Sequence, residues 1–435
     1  MIHRPSRREF VKATVKLAAA SALGAGYGAV AYAKEPPPGR GTFSQLDSIL
    51  RAATSAGELP GVVALAATEG GLVYEGVFGR RRLHAEPPMS RDTVFRVASM
   101  VKLITSVAAL QLVEQGRLSL DAPAPDVEPA VGSPQVLEGF DAKGAPQLRP
   151  AARPVTLRHL LTHTAGFSYR LWDAKAVRYA SSIERLPAAE RRRAPRRPLM
   201  FDPGERWRYG TNIDCVGRIV EFISGEPLDA YFRKHILDPL GMNDTAFVIS
   251  APQREREASV HRRGRNGSLA PEPLEHPPAP PRSAPPRSFS GGGGIYSTAP
   301  DYLTLIRTLL RGGSLDGVRI LRPETVALMG QNQIGEVEVG VMKTTAPTLS
   351  NDVDFFPGIN LKWGFGHMIN MQRVVDGRSA GSLTWGGLLN TYYWIDPARR
   401  IAAVFMTQIL PFADTHALRI YRQFERGIYA AVKTS

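Results

Sequence analysis

A serine and a lysine three positions apart, Ser99 and Lys102, have the types and spacing needed for acyl chemistry. From Val97 to Val113 the residues are apolar on nearly every side of a helix, and Gly116 is placed to end it. Because residues i and i+3 of a helix are neighbours, the Lys102 amine can reach the Ser99 hydroxyl. Burial disfavours a charged ammonium, so a neutral amine can take the serine proton. The pair predicts a nucleophilic serine with a lysine base, although the same spacing also occurs in helices without catalytic roles.

Two later segments carry further residues that are suited to acyl chemistry. Tyr209 stands just before a helix predicted from Asn212 to Ile223. The segment Trp385-Gly386-Gly387-Leu388 follows at the end of a predicted strand, where glycines permit close approach of the backbone. In order and spacing, these three motifs resemble the serine β-lactamase and penicillin-binding-protein superfamily. The segments 160–166 and 291–298 are similar to other recurrent landmarks of that superfamily, and the resemblance runs from about Phe43 to the C-terminus.

Two departures from the lactamase pattern narrow the resemblance. Lactamases carry Asn two residues after the tyrosine, where this chain has Thr211, and they carry K-T-G where it has Trp385-Gly386-Gly387. At both positions the chain resembles the lactamase-like carboxylesterases, often called family VIII esterases. The resemblance implies an α+β, β-lactamase-like fold, in which an antiparallel sheet is flanked by helices and the active site lies between the sheet and an all-helical subdomain.

The same resemblance assigns roles to residues. Ser99 would attack an acyl carbon, Lys102 would receive its proton, and Tyr209 would relay a proton to the leaving alkoxide. The backbone N–H groups of Ser99 and Leu388 would form the oxyanion hole, and Trp385, Gly386 and Gly387 would lie beside the substrate. Four aromatic residues are candidates for an acyl pocket: Tyr169, Trp172, Phe365 and Tyr392.

The expected function is hydrolysis of a small-molecule carboxylic ester, with no cofactor and no metal. A tryptophan in place of the third-motif lysine favours uncharged substrates, because it removes a positive charge from the site. A β-lactamase or a D-Ala-D-Ala carboxypeptidase is the alternative. A second alternative, from a different class, is a protein that binds β-lactams or peptidoglycan without turning them over.

Strands from both ends of the chain are predicted to form the sheet. Residues 61–68 and 72–78 are apolar and β-prone and predict a hairpin, and three more strands are predicted at 383–385, 391–395 and 401–407. Helices are predicted at 43–56 and 415–432. The simplest assembly is an antiparallel sheet flanked by helices.

Composition places the chain among ordinary globular proteins. Of its 435 residues, 43% are hydrophobic and 22% are charged, and the formal net charge is +14. The arginines are dispersed and no nucleic-acid motif accompanies them, so no nucleic-acid partner is expected. The single cysteine, Cys215, excludes an internal disulfide and is predicted to be a small core residue.

The N-terminus carries an export pattern. Arg7 and Arg8 precede an apolar run from Leu17 to Val30 and the small-residue site Ala31-Tyr32-Ala33. We therefore predict a twin-arginine signal peptide at 1–33, a linker at 34–41 and one β-lactamase-like domain at 42–435. The run is too short for a membrane span. The expected product is a periplasmic or secreted bacterial protein that contacts the twin-arginine export machinery only transiently and is not inserted in the membrane after cleavage.

Three other patterns have competing interpretations. His159 and His163 lie four residues apart but lack the glutamate of a zinc protease, so a packed, hydrogen-bonded pair is favoured over a metal site. Gly377-Arg378-Ser379-Ala380-Gly381 matches the G-x-S-x-G motif of α/β-hydrolases, but it leads into a strand, so a hairpin turn is favoured. Residues 252–287 are rich in proline and arginine and are predicted to be an extended insertion.

Overall fold

The computed structural model describes residues 43–83, 85–127, 129–273 and 289–432. The predicted signal peptide, 1–33, and the linker, 34–41, lie outside these ranges. All described residues fall within one unit, Pro37–Ser435. In the described part of the chain, no helix is both long and apolar enough to cross a membrane.

An antiparallel sheet of eight strands forms the centre of the fold. The strands of the whole structure are β1 (Gly61–Thr68), β2 (Gly71–Arg82), β3 (Ala85–Pro88), β4 (Phe95–Arg96), β5 (Gln135–Phe140), β6 (Pro146–Pro150), β7 (His261–Arg263), β8 (Leu269–Pro271), β9 (Tyr296–Ser297), β10 (Ser314–Leu315), β11 (Val318–Arg319), β12 (Leu361–Trp363), β13 (Met368–Asn370), β14 (Leu383–Gly387), β15 (Thr391–Asp396), β16 (Ile401–Met406) and β17 (Ile409–Leu410). The main sheet has the order β12-β13-β14-β15-β16-β1-β2-β3. Val63 of β1 lies opposite Met406 of β16, so the two ends of the chain meet in the sheet as predicted.

Helices cover both faces of this sheet. They are α1 (Ser44–Ser55), α2 (Val101–Glu114), α3 (Pro129–Gly132), α4 (Leu157–Leu161), α5 (Ala174–Glu184), α6 (Ala188–Arg193), α7 (Asn212–Ser224), α8 (Leu228–Phe232), α9 (Ala251–Glu255), α10 (Ala299–Leu310), α11 (Pro323–Met329) and α12 (Thr415–Ala431), with 3₁₀ turns at Ala98–Met100 and Arg170–Trp172 and a π-helical turn at Arg233–Leu237. Helices α1 and α12 pack together, and α10 packs on β1, β15 and β16. Because helices shield both sides, β1 and β14 to β16 are almost wholly buried. The predicted α+β architecture is confirmed.

The helical part that carries the serine is built around α2. This helix contacts α7 and α8, and α4 contacts α7. Every residue from Val101 to Leu112 is buried, which agrees with a sequence that is apolar on all sides. The prediction of one continuous helix from Val97 is wrong at its start, since Ser99 lies in the 3₁₀ turn before α2 and Ala98 has φ 44°. The helix propensities of these residues do not predict such a turn, because it is stabilised by tertiary contacts.

Two other regions differ in detail from the sequence expectations. The stretch 121–153 is rich in proline and alanine and has little periodicity, which predicts a long surface excursion without regular structure, but it contains the hairpin of β5 and β6. The Pro/Arg-rich segment contains α9 and the strands β7 and β8 in its first half, and β7 pairs in parallel with β17. Residues 274–288 of that segment lie outside the described ranges.

Candidate active site

The turn that precedes α2 brings Ser99 and Lys102 together. Lys102 Nζ donates to Ser99 Oγ at 3.1 Å and to the Gly292 carbonyl oxygen at 2.6 Å. The Lys102 side chain is buried, with 2% of its surface exposed. Thr105, one turn further along α2, donates to the Gly291 carbonyl oxygen at 2.7 Å. The glycine-rich turn therefore lies against α2 and positions the lysine beside the serine.

Tyr209 and Trp385 form the opposite side of this group. Trp385 Nε1 donates to the Tyr209 hydroxyl oxygen at 3.1 Å, and the two rings are 4.8 Å apart. Lys102 Nζ lies 4.9 Å from the centre of the Tyr209 ring. Since the Tyr209 oxygen accepts the indole hydrogen, its own proton is available for donation. The structure thus brings together four predicted site residues that are spread over almost 300 positions of the chain.

The glycines of β14 allow the strand to lie against the serine turn. A β-carbon on Gly387 would clash with the carbonyl oxygen of Val97, and one on Gly386 would lie 2.7 Å from the Tyr392 ring. Leu388 follows directly, in the tight turn between β14 and β15. Its side chain is partly buried against the core. Close approach to the serine turn therefore occurs at Gly387, while Gly386 leaves room for the Tyr392 ring of the neighbouring strand.

An aspartate that sequence reasoning did not single out links three segments of the site. Asp214, in the first turn of α7, accepts from Tyr169 Oη at 3.1 Å and from Ser290 Oγ. Ser290 Oγ in turn accepts from the Gly292 N–H at 3.0 Å, in the turn whose carbonyl contacts Lys102. Burial and the negative charge of Asp214 raise the pKa of Tyr169 well above its ordinary value, so its phenol remains a donor. The available signal was an acidic residue in the first turn after Tyr209.

His163 also contacts Tyr209, although sequence reasoning gave it only a packing role. Its ring is 4.8 Å from the Tyr209 ring, and its Nδ1 lies 2.9 Å from Asn212 Nδ2. Burial, together with the positive charge of Lys102, holds the pKa of His163 well below its ordinary value. His163 is therefore a neutral ring beside the tyrosine.

His159 has a separate, structural role. It caps α4: its N–H donates to Thr156 Oγ1, and its Nδ1 accepts from the Thr156 N–H, both at 3.2 Å. The two histidines thus find hydrogen bonds in different places and do not form one pair. Within the described ranges, no cluster of three or more potential ligand side chains could hold a metal ion.

A cavity of about 170 Å³ lies beside this group, and we call it the indole cavity. Among the residues that line it are Trp207, Trp385, Val341, Met342, Asp354 and Phe355. Trp207 and Trp385 both contact Tyr209, the first as a stacked ring at 6.4 Å. The four aromatic candidates for an acyl pocket lie elsewhere. Tyr169 and Trp172 pack on the Tyr209 ring, Tyr392 stacks on Tyr421 inside the core, and Phe365 is fully buried.

The fold is that of the β-lactamase-like serine hydrolases and acyltransferases. A family model described as Beta-lactamase matches residues 46–427. The chain belongs to this family.

Several relatives are similar over nearly the whole chain. ML-236A carboxylate methylbutanoyltransferase of Penicillium citrinum is 31% identical over 412 residues, which cover 90% of this chain and 96% of that protein. Lovastatin esterase of Penicillium rubens is 31% identical over 399 residues, covering 88% and 98%. The unliganded structure of simvastatin synthase from Aspergillus terreus has a TM-score of 0.76 at 30% identity and covers 89% of this chain and 98% of its own. These relatives include acyltransferases and an esterase, which supports a hydrolase or acyltransferase.

Proposed function

We propose that the protein cleaves uncharged carboxylic esters through an acyl-enzyme on Ser99. The observation that carries the proposal is the contact between Lys102 Nζ and Ser99 Oγ at 3.1 Å inside a buried site. Ser99 Oγ attacks the acyl carbon while its proton passes to the Lys102 amine. The second hydrogen bond of Lys102 Nζ, to the Gly292 carbonyl oxygen at 2.6 Å, holds the amine beside the serine.

Tyr209 is proposed to complete acylation and to begin deacylation. When the tetrahedral intermediate collapses, the ester C–O bond breaks and the alcohol oxygen takes a proton from the Tyr209 hydroxyl. Lys102, whose Nζ lies over the Tyr209 ring, then returns a proton to the tyrosine. In the second half, the acceptor oxygen loses its proton along the same path in reverse. The amides of Ser99 and Leu388 are proposed to stabilise the oxyanion.

Uncharged esters are favoured over β-lactams because Trp385 occupies the place of the third-motif lysine. Its indole has a single donor, and that donor is directed to Tyr209. A carboxylate on the substrate would therefore find no charge-assisted hydrogen bond at this position, a loss of about 1.5–3 kcal/mol. An ester without that carboxylate loses nothing.

Transfer to an alcohol is a second candidate, because one relative at 31% identity is named a methylbutanoyltransferase. Water and an alcohol would compete for the same acyl-enzyme on Ser99. The two outcomes separate in one assay, in which ester consumption and new ester formation are measured as an alcohol is added. Hydrolysis alone at saturating alcohol would exclude the transferase.

The substrate class is tested with p-nitrophenyl acetate to hexanoate, nitrocefin and a D-Ala-D-Ala peptide on the same preparation. We expect kcat/KM for the esters to exceed that for nitrocefin by at least about two decades, the size set by the lost charged contact. Lys102→Arg, which keeps the charge but cannot act as a base, should be as inactive as Lys102→Ala. Equal efficiency on penicillins or peptides would replace the esterase with a lactamase or carboxypeptidase. Acylation without turnover of any ester would favour the non-catalytic binding protein.

We also propose that the protein is exported by the twin-arginine route. The support is the sequence pattern Arg7-Arg8 followed by Ala31-Tyr32-Ala33. Fractionation of bacterial cells expressing the full chain should find a shortened protein in the periplasm, and changing Arg7 and Arg8 to Lys should abolish this. Unchanged export of that variant would contradict the proposal.

A further inference from the structure

We infer that the indole cavity binds the alcohol half of the substrate, and that this half is an uncharged alcohol whose apolar group is about the size of a benzene ring. The inference rests on the proposed function, since it takes Ser99 as the nucleophile and Tyr209 as the proton donor. It concerns substrate specificity: which half of the ester decides whether a compound is a good substrate.

The position of Tyr209 relates the cavity to the alcohol. In the proposed reaction, the Tyr209 hydroxyl protonates the alcohol oxygen, so the alcohol substituent begins at that hydroxyl. Trp385, which donates to this hydroxyl at 3.1 Å, lines the cavity, as does Trp207, which stacks on the Tyr209 ring. Neither Ser99 nor Lys102 is among its lining residues. The cavity thus shares two of its lining residues, Trp207 and Trp385, with the surroundings of Tyr209 and adjoins the leaving-group side of the proposed reaction.

The size and lining of the cavity indicate the size and charge of the alcohol that it would bind. Its volume is about 170 Å³. An apolar protein cavity of roughly 150 Å³ binds benzene, so this one suits a group of about six carbon atoms. Phe355 packs on Trp385 at 5.3 Å and makes the wall aromatic. Asp354, on an exposed part of the rim, is the charged residue of the lining, so an anionic alcohol would meet repulsion there.

The experiment varies one half of the ester at a time. With the acetyl group constant, the alcohols are methanol, benzyl alcohol and 4-(hydroxymethyl)benzoate. With the methyl alcohol constant, the acyl groups are acetyl and hexanoyl. We expect wild type to prefer benzyl acetate to methyl acetate, and to prefer it to the carboxylate-bearing benzyl ester, by about tenfold or more in kcat/KM in each case.

Val341→Trp is the variant that fills the cavity. Val341 lines it yet is 47% exposed, so a larger side chain can be accommodated without disturbing the core. We expect the ratio of kcat/KM for benzyl to methyl acetate to fall by about tenfold or more, while the ratio for methyl hexanoate to methyl acetate stays constant. Val375→Trp is the matched control, because Val375 is 76% exposed and lies outside the cavity, and both ratios should remain those of wild type. Phe355→Ala enlarges the cavity and should shift the preference from benzyl to naphthylmethyl acetate.

The outcomes separate this inference from the proposed function. If Val341→Trp and Phe355→Ala change the acyl ratio and leave the alcohol ratio unchanged, the cavity holds the acyl group and the inference is wrong, although the ester chemistry stands. Equal rates on the benzyl and carboxybenzyl esters would overturn the uncharged-alcohol assignment. Retention of all ester activity by Ser99→Ala would instead refute the proposed function itself.

Discussion

The chain places two serines beside buried basic side chains, and the two regions differ in what the basic group contacts. Lys102, three residues after Ser99, donates to a hydroxyl and to a backbone carbonyl. Arg378, directly before Ser379, is also fully buried but donates to Glu425 through Nε at 2.8 Å and through Nη2 at 2.7 Å. Lys102 therefore has only hydrogen bonds to uncharged groups among the contacts found, whereas Arg378 forms an ion pair that holds a turn.

This difference supports the proposal that Ser99, and not Ser379, is the nucleophile. Burial lowers the pKa of Arg378, but the charge of Glu425 outweighs this and leaves it above its ordinary value, so the guanidinium never acts as a base. The turn that contains Ser379 connects β13 to β14, and no helix follows it, which is the hairpin arrangement expected from the sequence. A nucleophile motif therefore depends on the partners that tertiary structure supplies.

Ser99→Ala is expected to have the largest effect. Without the hydroxyl no acyl-enzyme can form, so kcat/KM for p-nitrophenyl butanoate should fall by at least about 10⁴-fold while the thermal midpoint stays close to wild type. Steady-state kinetics, with intact-protein mass spectrometry to detect the acylated protein, measure both halves of the prediction. Persistence of a burst in this variant would show that another residue is acylated.

Glu425→Gln breaks the ion pair in the other region. Removing one partner of a buried pair leaves an uncompensated charge and typically costs about 3–5 kcal/mol. We expect that loss in the free energy of unfolding by urea, with activity per folded molecule retained. Glu138→Gln is the matched control, because its pair with Arg149 is exposed and should be worth under about 1 kcal/mol. Equal effects of the two substitutions would remove the distinction between the buried pair and a surface pair.

Local patterns in the sequence were sufficient for much of the fold. The apolar strands at both chain ends pair in the central sheet as expected, and Thr156 and Thr298, residue types that favour helix N-termini, cap α4 and α10. These features depend on residues within a few positions of each other or on strongly apolar runs, so periodicity detects them. The hairpin of β5 and β6 was missed because its strands are short, polar and bounded by proline.

The contacts that complete the site could not be predicted in this way. Tyr169, Asp214 and Ser290 are joined by hydrogen bonds across 121 positions of the chain, and no periodicity links them. The positive φ of Ala98 likewise depends on packing around the turn and not on residue type. The order of the motifs was sufficient to select Ser99, Tyr209 and Trp385 as candidate site residues. Their contacts within the site could be found only from the structure.

The stability of the protein should depend on pH through His163, which lies beside Tyr209. Its folded-state pKa lies well below 6.5, so between pH 6.5 and that value the unfolded chain binds a proton that the folded protein does not. The free energy of unfolding should then fall as pH decreases through this window, with a slope of up to about 1.4 kcal/mol per pH unit. His163→Gln should reduce the slope by that amount. His416→Gln, at a partly exposed histidine, serves as the control, and equal slopes in wild type and His163→Gln would refute the assignment.

The smallest effect is expected for Ser379→Ala, and its size tests the comparison most directly. The hydrogen bonds found at Ser379 run through its backbone: its N–H donates to Asp396 Oδ2 at 2.9 Å, and its carbonyl oxygen accepts from Asn370 Nδ2 at 2.8 Å. Alanine keeps both groups, so stability should change by less than about 0.5 kcal/mol and kcat/KM by less than about twofold. Peptide mapping after treatment with a fluorophosphonate should place the adduct on Ser99 in wild type and in this variant. An adduct on Ser379, or a large loss of activity in Ser379→Ala, would mean that the turn beside the Arg378–Glu425 pair supplies the nucleophile and that the buried lysine has another purpose.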